Sequence, residues 1–542
     1  MGAARPRPTL RTHLTNGERT PPACFGGRLA RRILPRIEPI RGAREPRALP
    51  SRIYEMACKH DDREPALQNR RADVITHSLA GIGGGLKFRP KMGGEPCAGR
   101  RLSLMKAKLL CVALIALFRV LSVQAAVMPP KEPALDRFLR YVKIDTQSKE
   151  DQPTVPSTRK QWDLANLLAA ELKTLGAEHV RASEFGIVYA MVPGNLPAGS
   201  KVPVIGFISH MDTSPEVSGE NVHPIIHTNY QGGDIVLPQD PTQVIADARN
   251  PLLKTLIGDD IITADGTTLL GSDDKAGCAA IMTLVDLLGQ NPQIRHGAIA
   301  VAFTPDEEVG GGIEKFDIKG FGAQFAYTVD GEALGEISEE TWSARTATVN
   351  FQGKNTHPGT AKGLMINSIP AAADFIARFP GDLRPETTEG RIGFLHPYTG
   401  TLEVEESRLK ILLRDFDARG LDTKEALLRE MVKETERRFA GVKISLTVKE
   451  NYKNMKEVLK DYPQLTEYAM EAARRAGLTP RIKPIRGGTD GARLTFAGLP
   501  CPDLFTGGQN FHGKLEFNSR RGLEKTTETL VHLVQVFVEK TK

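Results

Sequence analysis

Long apolar runs alternate with helical patterns over residues 131–336, and this arrangement predicts an α/β fold. Segments with strand character include VPVIGFISH at 202–210, AIAVAFT at 298–304 and QFAYTVD at 324–330. Helical spacing of apolar residues separates the first two, from about residue 275 to residue 288. Because continuous apolar runs are typical of strands covered on both faces, we expect a largely buried sheet with helices packed on it.

The pattern changes over residues 337–450 and predicts a small inserted α+β domain of two layers. The predicted order of elements is β-α-β-β-α-β, carried in turn by ARTATVNFQG, SIPAAADFIARF, two strands around GTLEVEESRLKILLRDFD, a charged helix at 421–439 and VKISLTV. From 451 to 542 the α/β character returns, first with the helix TEYAMEAARRAG and last with VHLVQVFVEK. The first domain is therefore expected to be interrupted by the second.

Residues 1–104 are rich in Arg and Pro and show neither helical nor strand periodicity. They hold 21 Lys and Arg against 9 Asp and Glu, whereas the whole chain has 72 and 65. The rest of the chain therefore carries 51 basic and 56 acidic residues, so the net charge of +7 implies no nucleic-acid partner for the body. We expect this extension to be disordered, to be a basic targeting arm, or to lie upstream of a true start at Met105.

Residues 105–126 have the three parts of a secretory signal. Two lysines begin the segment, the apolar stretch 109–118 follows, and Val-Gln-Ala at 123–125 offers small residues for cleavage. The ten apolar residues of this stretch are too few to cross a bilayer, which takes roughly 20. A periplasmic or secreted protein is expected if translation starts at Met105 and the signal is cleaved, and a cytoplasmic protein otherwise.

Cysteine chemistry is limited in the body of the chain. Beyond residue 126 the sequence contains only Cys278 and Cys501. Two cysteines form neither a disulfide framework nor a zinc-thiolate set, so a metal in this protein would depend on histidines and carboxylates.

A histidine and an acid at the end of one predicted strand form a candidate metal site. His210 is the last residue of VPVIGFISH, and Asp212 follows two positions later. Because positions i and i+2 of a strand share a face, the two side chains are expected to project together. One role for such a pair is a metal-binding imidazole whose second nitrogen is held by the carboxylate. The alternative is a histidine that makes only local hydrogen bonds.

More acids follow other predicted strands or open a helix, and a second histidine lies in a glycine-rich loop. These candidates are Asp273 in LLGSDDKAG, Glu307 and Glu308 in VAFTPDEEVG, Asp330 in QFAYTVD and His512 in FTGGQNFHGK. Taken singly, they also fit a helix N-cap, a solvated turn and a loop histidine. In an extended segment Glu307 and Glu308 would face opposite ways, so that one binds metal and the other faces a water molecule.

The donor set favours two metal ions over one. Open α/β sheets bind ligands in crevices outside the carboxyl ends of their strands, where these side chains are expected to converge. Carboxylates with two imidazoles suit a divalent ion such as zinc, cobalt or manganese. Five ligands are too many for one catalytic ion with an open position, but they suit two ions that share a carboxylate.

From about residue 131 to residue 542 the chain closely resembles the peptidase T family of tripeptide aminopeptidases. This family belongs to a larger group of dizinc metallopeptidases with carboxypeptidase G-type enzymes and desuccinylases. The matching stretches are IGFISHMDTSP, TLLGSDDKAG, VAFTPDEEVG, AYTVDG, THPGTAKG, LLRDFD, KPIRGGTDGA and LPCPDLFTGGQNFHGK. The resemblance implies an α/β, dizinc aminopeptidase-like catalytic domain in two parts, 131–336 and 451–542, with a lid and dimerisation domain inserted at 337–450.

The resemblance also implies a role for each candidate residue. Two Zn²⁺ per subunit, with Co²⁺ or Mn²⁺ as alternatives, would be held by His210, Asp273, Glu308, Asp330 and His512, and Asp273 would bridge the two ions. Asp212 would orient His210, and Glu307 would be the general base. Substrate contacts are expected from His357, Arg414 and Arg486.

The activity implied by the resemblance is hydrolysis of the N-terminal residue from tripeptides by a hydroxide between the two zinc ions. A dipeptidase, a carboxypeptidase or an N-acyl amino-acid deacylase of the same family is the alternative. A non-catalytic peptide-binding protein is the alternative from another class. Short peptides are the expected partners, without nucleic acid or a stable membrane span, and a homodimer is expected through the lid domain. One departure is Ala280, which stands where an acid is common in the family and would change the support behind the ligands.

Overall fold

The structure is a computed structural model that describes residues 127–541. The extension at 1–104 and the predicted signal at 105–126 lie outside the described residues. Among the helices of the described part, none has both the length and the apolar character needed to cross a membrane.

Helices and strands alternate along the described chain. The helices are α1 (Ala134–Tyr141), α2 (Gln161–Thr174), α3 (Ser272–Gln290), α4 (Ile318–Phe321), α5 (Ser368–Ala377), α6 (Ala418–Arg438), α7 (Lys456–Leu459), α8 (Pro463–Arg475), α9 (Asp490–Phe496) and α10 (Arg520–Lys540). The strands are β1 (Glu178–Ala182), β2 (Val188–Val192), β3 (Ile205–His210), β4 (Ile225–His227), β5 (Ile235–Val236), β6 (Val244–Ile245), β7 (Ile261–Thr263), β8 (Ile299–Thr304), β9 (Phe325–Gly331), β10 (Glu336–Ser338), β11 (Ser343–Gln352), β12 (Phe394–Leu402), β13 (Glu406–Asp415), β14 (Lys443–Tyr452), β15 (Arg481–Ile482), β16 (Asp503–Phe505) and β17 (Phe517–Ser519).

A mixed eight-stranded sheet forms the larger part of the fold, in the order β1-β2-β8-β3-β9-β16-β10-β15. Every residue of β3 and β8 is buried, as their continuous apolar runs predict. Helix α3 packs against β3 and β9, and its residues from Ala276 to Val285 are all buried, so this stretch has no solvent face. The predicted α/β fold is confirmed.

The centre of this sheet brings three strand ends to one edge. Strands β8, β3 and β9 are adjacent and parallel, with His210 paired with Thr304 and Ile208 paired with Thr328. Because parallel strands end on the same side of a sheet, the segments after β3, β8 and β9 must emerge beside one another. Helix α3 begins close by, with its buried face on the same strands.

The lid domain, residues 343–452, contains a four-stranded antiparallel sheet in the order β12-β13-β11-β14. Helices α5 and α6 pack on this sheet around a core that includes Phe351, Phe375 and Leu428, which confirms the predicted β-α-β-β-α-β order. Strand β10, whose last two residues fall inside the predicted bounds of 337–450, pairs with β15 and β16 of the large sheet. The chain therefore enters the lid later than the sequence pattern suggests.

Candidate active site

The end of β3 places His210 among three carboxylates. Its Nε2 lies 2.8 Å from Asp273 Oδ1 and 3.4 Å from Asp330 Oδ1. Its Nδ1 lies 3.5 Å from Asp212 Oδ1 and 3.1 Å from the Asp212 carbonyl oxygen. The imidazole is buried. Its Nδ1 faces Asp212, and its Nε2 faces Asp273 and Asp330.

Asp212 also holds the turn after β8. Its Oδ1 accepts the backbone N–H of Glu307 at 3.0 Å, and its Oδ2 accepts that of Glu308 at 3.2 Å. In an extended chain successive N–H groups point to opposite sides, so one carboxylate could not accept both. The expectation that Glu307 and Glu308 lie in an extended segment is wrong: the chain turns here, and the N–H of Gly310 donates to the Glu307 carbonyl at 2.7 Å.

The three consecutive acids of this turn have different surroundings. Asp306, which has a φ of +59° and is buried, accepts hydrogen bonds from the Ser157 N–H and hydroxyl and from the Gln161 side chain. It therefore ties the turn to the start of α2. The side chains of Glu307 and Glu308 line the cavity at the sheet edge.

Asp273 lies between the two histidines. Its Oδ1 faces His210, and its Oδ2 lies 3.3 Å from His512 Nε2. That same nitrogen is 2.8 Å from Glu308 Oε2, while Nδ1 of His512 lies 3.8 Å from Glu216. A carboxylate with one oxygen toward each imidazole has the arrangement that a bridging ligand requires.

Burial sets the ionisation of most acids in this cluster. It raises the pKa of Glu308 to about 8 and that of Asp330 to about 6, and it raises the pKa of Glu307 well above its usual value. For Asp273 burial acts in the same direction, but hydrogen bonds with His210 and His512 outweigh it and lower the pKa. Buried carboxylates of this kind are stabilised as anions when a cation lies among them.

The donor atoms fit metal ions. Oε1 of Glu308 and Oδ2 of Asp274 are buried and accept no hydrogen bond from any described residue. Two sets of side chains bring their donor atoms within 4.8 Å of one another: His210, Asp273 and Glu308, and His210, Asp274 and Asp330. Imidazole nitrogens with carboxylate oxygens are the ligands that zinc and neighbouring divalent metals use.

Asp274 is a ligand candidate beyond those predicted from the sequence, where it follows Asp273 in LLGSDDKAG. Its Oδ1 does accept the N–H of Gly277 at 3.0 Å, as a cap would, while Oδ2 stays available. Asp490 is a second omission: it lines the cavity, it accepts a hydrogen bond from the Thr304 hydroxyl at 2.7 Å, and burial raises its pKa to about 7. The signal was present in the stretch KPIRGGTDGA, which contains this aspartate.

A cavity of about 1320 Å³ extends from this cluster to the lid domain. Its walls include Glu307, Asp330 and His512 from the catalytic domain and Arg414 and Tyr398 from the lid. A space of this size between two domains is large enough for a short peptide.

Two of the predicted substrate residues, Arg414 and Arg486, line the cavity. The Arg414 guanidinium lies 5.7 Å from the Tyr452 ring centre and donates to the Arg345 carbonyl at 3.3 Å. Arg486 donates to the carbonyls of Gly390 at 3.0 Å and Thr388 at 3.1 Å. Neither arginine forms an ion pair with an acid of the described chain, so both charges remain available to an anion.

The third predicted substrate residue, His357, is not brought to this cavity. It lies in a lid loop after β11, its side chain is exposed, and its Nδ1 accepts the N–H of Gly359 at 3.1 Å. Ala280, the departure from the family pattern, is fully buried in the apolar core of the catalytic domain. No side chain supports the ligands from that position.

Comparisons with known proteins place the chain in a family. The sequence pattern of Peptidase family M20/M25/M40 matches residues 263–536. Peptidase T of Geobacillus thermodenitrificans is 45% identical over 411 residues, which cover 76% of this chain and 100% of that protein. Peptidase T of Clostridium perfringens is 46% identical over 405 residues, which cover 75% of this chain and 99% of that protein.

Solved structures share the fold at lower identity. A tripeptidase from Staphylococcus aureus has a TM-score of 0.58 at 24% identity, covering 75% of this chain and 98% of its own. The aminopeptidase PepT from Bacillus cereus has a TM-score of 0.56 at 23% identity, covering 74% and 98%. These likenesses extend over both the catalytic and the lid domains, since nearly all of each solved chain is matched.

Proposed function

The chain belongs to Peptidase family M20/M25/M40, and from this premise we propose that it is a metal-dependent aminopeptidase that removes the N-terminal residue of tripeptides. One observation carries the proposal: His210 and His512 flank Asp273, which lines the same cavity as Glu307. The Peptidase T relatives, matched over nearly their whole length, support tripeptides as the substrate class.

We propose that two zinc ions, or cobalt or manganese in their place, bind at this cluster. The proposed ligands are His210, Asp273, Glu308, Asp330 and His512, with Asp273 shared between the two ions. When bound, such a pair of cations polarises a substrate carbonyl and lowers the pKa of a nearby water molecule. The orphaned oxygen of Glu308 and the histidines on both sides of Asp273 support this assignment.

Glu307 is the proposed general base. Its carboxylate accepts a proton from the attacking water, whose oxygen forms a bond to the scissile carbonyl carbon. The carbon–nitrogen bond then breaks, and Glu307 returns the proton to the leaving amine, so that an amino acid and a dipeptide are released. Asp212 holds two residues of the site in place. It faces the His210 imidazole, and it accepts the backbone N–H of Glu307.

Arg414 and Arg486 are proposed to bind the carboxylate end of the peptide. Guanidinium groups pair well with carboxylates, and both are free of acidic partners in the described chain. His357 is proposed to reach the substrate only after the lid moves or a second copy supplies it, because its side chain lies outside the cavity in this structure. A homodimer through the lid domain stays a prediction, which sedimentation velocity would test.

Blocking the peptide's amino group is expected to lower kcat/KM by at least about 100-fold, because a site that recognises a polar group rejects analogues lacking it. The measurement compares unblocked tripeptides, N-acetylated tripeptides and dipeptides on the purified protein. Equal cleavage of the acetylated peptide would rule out an aminopeptidase. Preference for dipeptides would indicate a dipeptidase, and preference for the acetylated form a deacylase. Binding of tripeptides without any hydrolysis would indicate a peptide-binding protein.

Export is proposed from the tripartite segment at 105–126, with cleavage after Ala125. N-terminal sequencing of the protein recovered from its native cells is expected to begin at Ala126. A start well upstream of this residue, or recovery in the cytoplasm with the segment intact, would contradict the prediction.

A further inference from the structure

The buried carboxylate of Glu516 joins the two loops that carry Asp273 and His512. Glu516 follows His512 by four positions and is only 1% exposed. Its Oε2 accepts the backbone N–H groups of Leu270 at 2.9 Å and Gly271 at 2.8 Å. Its Oε1 accepts the N–H of Asp273 at 3.0 Å. All three donors belong to residues 270–273, around the start of α3 and far away in the sequence.

These donors need an external partner. Leu270 and Gly271 precede α3, and Asp273 has non-helical backbone angles, so their N–H groups have no acceptor within the helix. The cap of the regular helix is the next residue, Asp274, whose Oδ1 accepts the N–H of Gly277 at 3.0 Å. Glu516 accepts the N–H groups that precede this cap, and the Asp273 carboxylate turns one oxygen toward His210 and the other toward His512.

The loop that carries His512 is held at its base. Gln509 and Phe517 exchange backbone hydrogen bonds of 2.9 and 3.1 Å, and the N–H of Glu516 donates to the Gly513 carbonyl at 3.2 Å. The backbone of Glu516 is therefore fixed relative to His512, while its side chain is fixed relative to Asp273. This carboxylate therefore links the two loops directly.

We propose that Glu516 is a positioning residue of the metal centre, which sets the distance between Asp273 and His512 by holding their two loops together. The proposal rests on the proposed function only in taking these two residues as ligands. Both oxygens of Glu516 face the backbone of the Asp273 loop, and we assign Glu516 no direct contact with substrate or metal.

Glu516→Gln tests this assignment with almost no change in volume. One acceptor oxygen becomes an NH₂ group that faces N–H donors, so at least one of the three hydrogen bonds is lost. We expect the affinity for Zn²⁺ to fall by roughly 10–100-fold, as for other residues that orient metal ligands. The affinity is measured by equilibrium dialysis against buffered Zn²⁺, and the Co²⁺-loaded protein is followed by its visible absorption. Activity is expected to return toward the wild-type kcat when Zn²⁺ is in excess.

Asp259→Asn is the matched control. Asp259 is also buried and also accepts backbone N–H groups, at 2.8 Å from Asp260 and 3.3 Å from Arg521. It belongs neither to the metal cluster nor to the cavity wall. We expect this variant to melt at a lower temperature while its Zn²⁺ affinity stays unchanged.

Two results would overturn the proposal: a Zn²⁺ affinity of Glu516→Gln within about twofold of the wild type, or an equal loss of affinity in the control. If Glu516→Gln does not fold, Glu516→Asp keeps the charge with a shorter reach, and wild-type affinity in that variant would overturn the proposal as well. Zn²⁺ affinity is measured without peptide. A failure of tripeptide hydrolysis in the wild type is therefore distinguishable from a failure of this positioning role.

Discussion

Replacing Glu307 with Gln is expected to lower kcat for tripeptide hydrolysis by roughly 10²–10⁴-fold, the range that a positioned general base contributes. The amide has nearly the same shape but cannot accept the proton of the attacking water. KM is expected to change much less, because the backbone of residue 307, which Asp212 holds, stays in place. Steady-state kinetics on an unblocked tripeptide give both constants.

The control for this variant is Glu314→Gln. Glu314 lines the same cavity, but its side chain is exposed and the proposed mechanism gives it no role. The Glu314→Gln variant is expected to keep kcat within about twofold of the wild-type value, as for a surface substitution without buried partners. Zn²⁺ content must be measured for both variants, because Glu308, a proposed ligand, is adjacent to Glu307. A fully loaded Glu307→Gln protein with wild-type kcat would exclude Glu307 as the base.

The fold was largely predictable because its strongest signals are local. The apolar runs that became β3 and β8 are continuous and short, and their length favours buried strands over helices. The order of the lid elements follows from periodicity in the same way. The entry into the lid was less predictable, since the short strand β10 joins the large sheet through pairing with β15 and β16, which come much later in the chain. Such pairing leaves no local pattern.

The site shows the same difference between local sequence signals and contacts made over long distances in the chain. Acids and histidines at strand ends could be found from sequence, because strand ends are recognisable and parallel strands end together. The turn at Glu307 could not, since it depends on Asp212 accepting two adjacent N–H groups from another strand connection. Glu516 is a stronger case: its function is set by three backbone donors some 240 positions away, and the residue type alone does not reveal them.

His357 illustrates the limit of a family resemblance. The motif THPG locates the residue in the sequence, but the position of its side chain depends on how the lid lies over the catalytic domain. In this structure the imidazole accepts a local N–H group and lies outside the cavity wall. Its proposed contact with substrate therefore needs an arrangement other than the one in this structure.

Removing divalent metal is expected to lower activity by about 10³-fold or more, since polarisation by bound cations contributes several kcal/mol to the barrier. Dialysis against a chelator followed by Zn²⁺ or Co²⁺ should abolish and then restore tripeptide hydrolysis in the wild type. Asp273→Asn should show the same loss without restoration, because the carboxylate between His210 and His512 is the proposed shared ligand. Asp259→Asn, a buried aspartate outside the cluster, should behave like the wild type in this cycle. Undiminished hydrolysis after exhaustive chelation, with metal content verified by mass spectrometry, would exclude a metal-dependent mechanism.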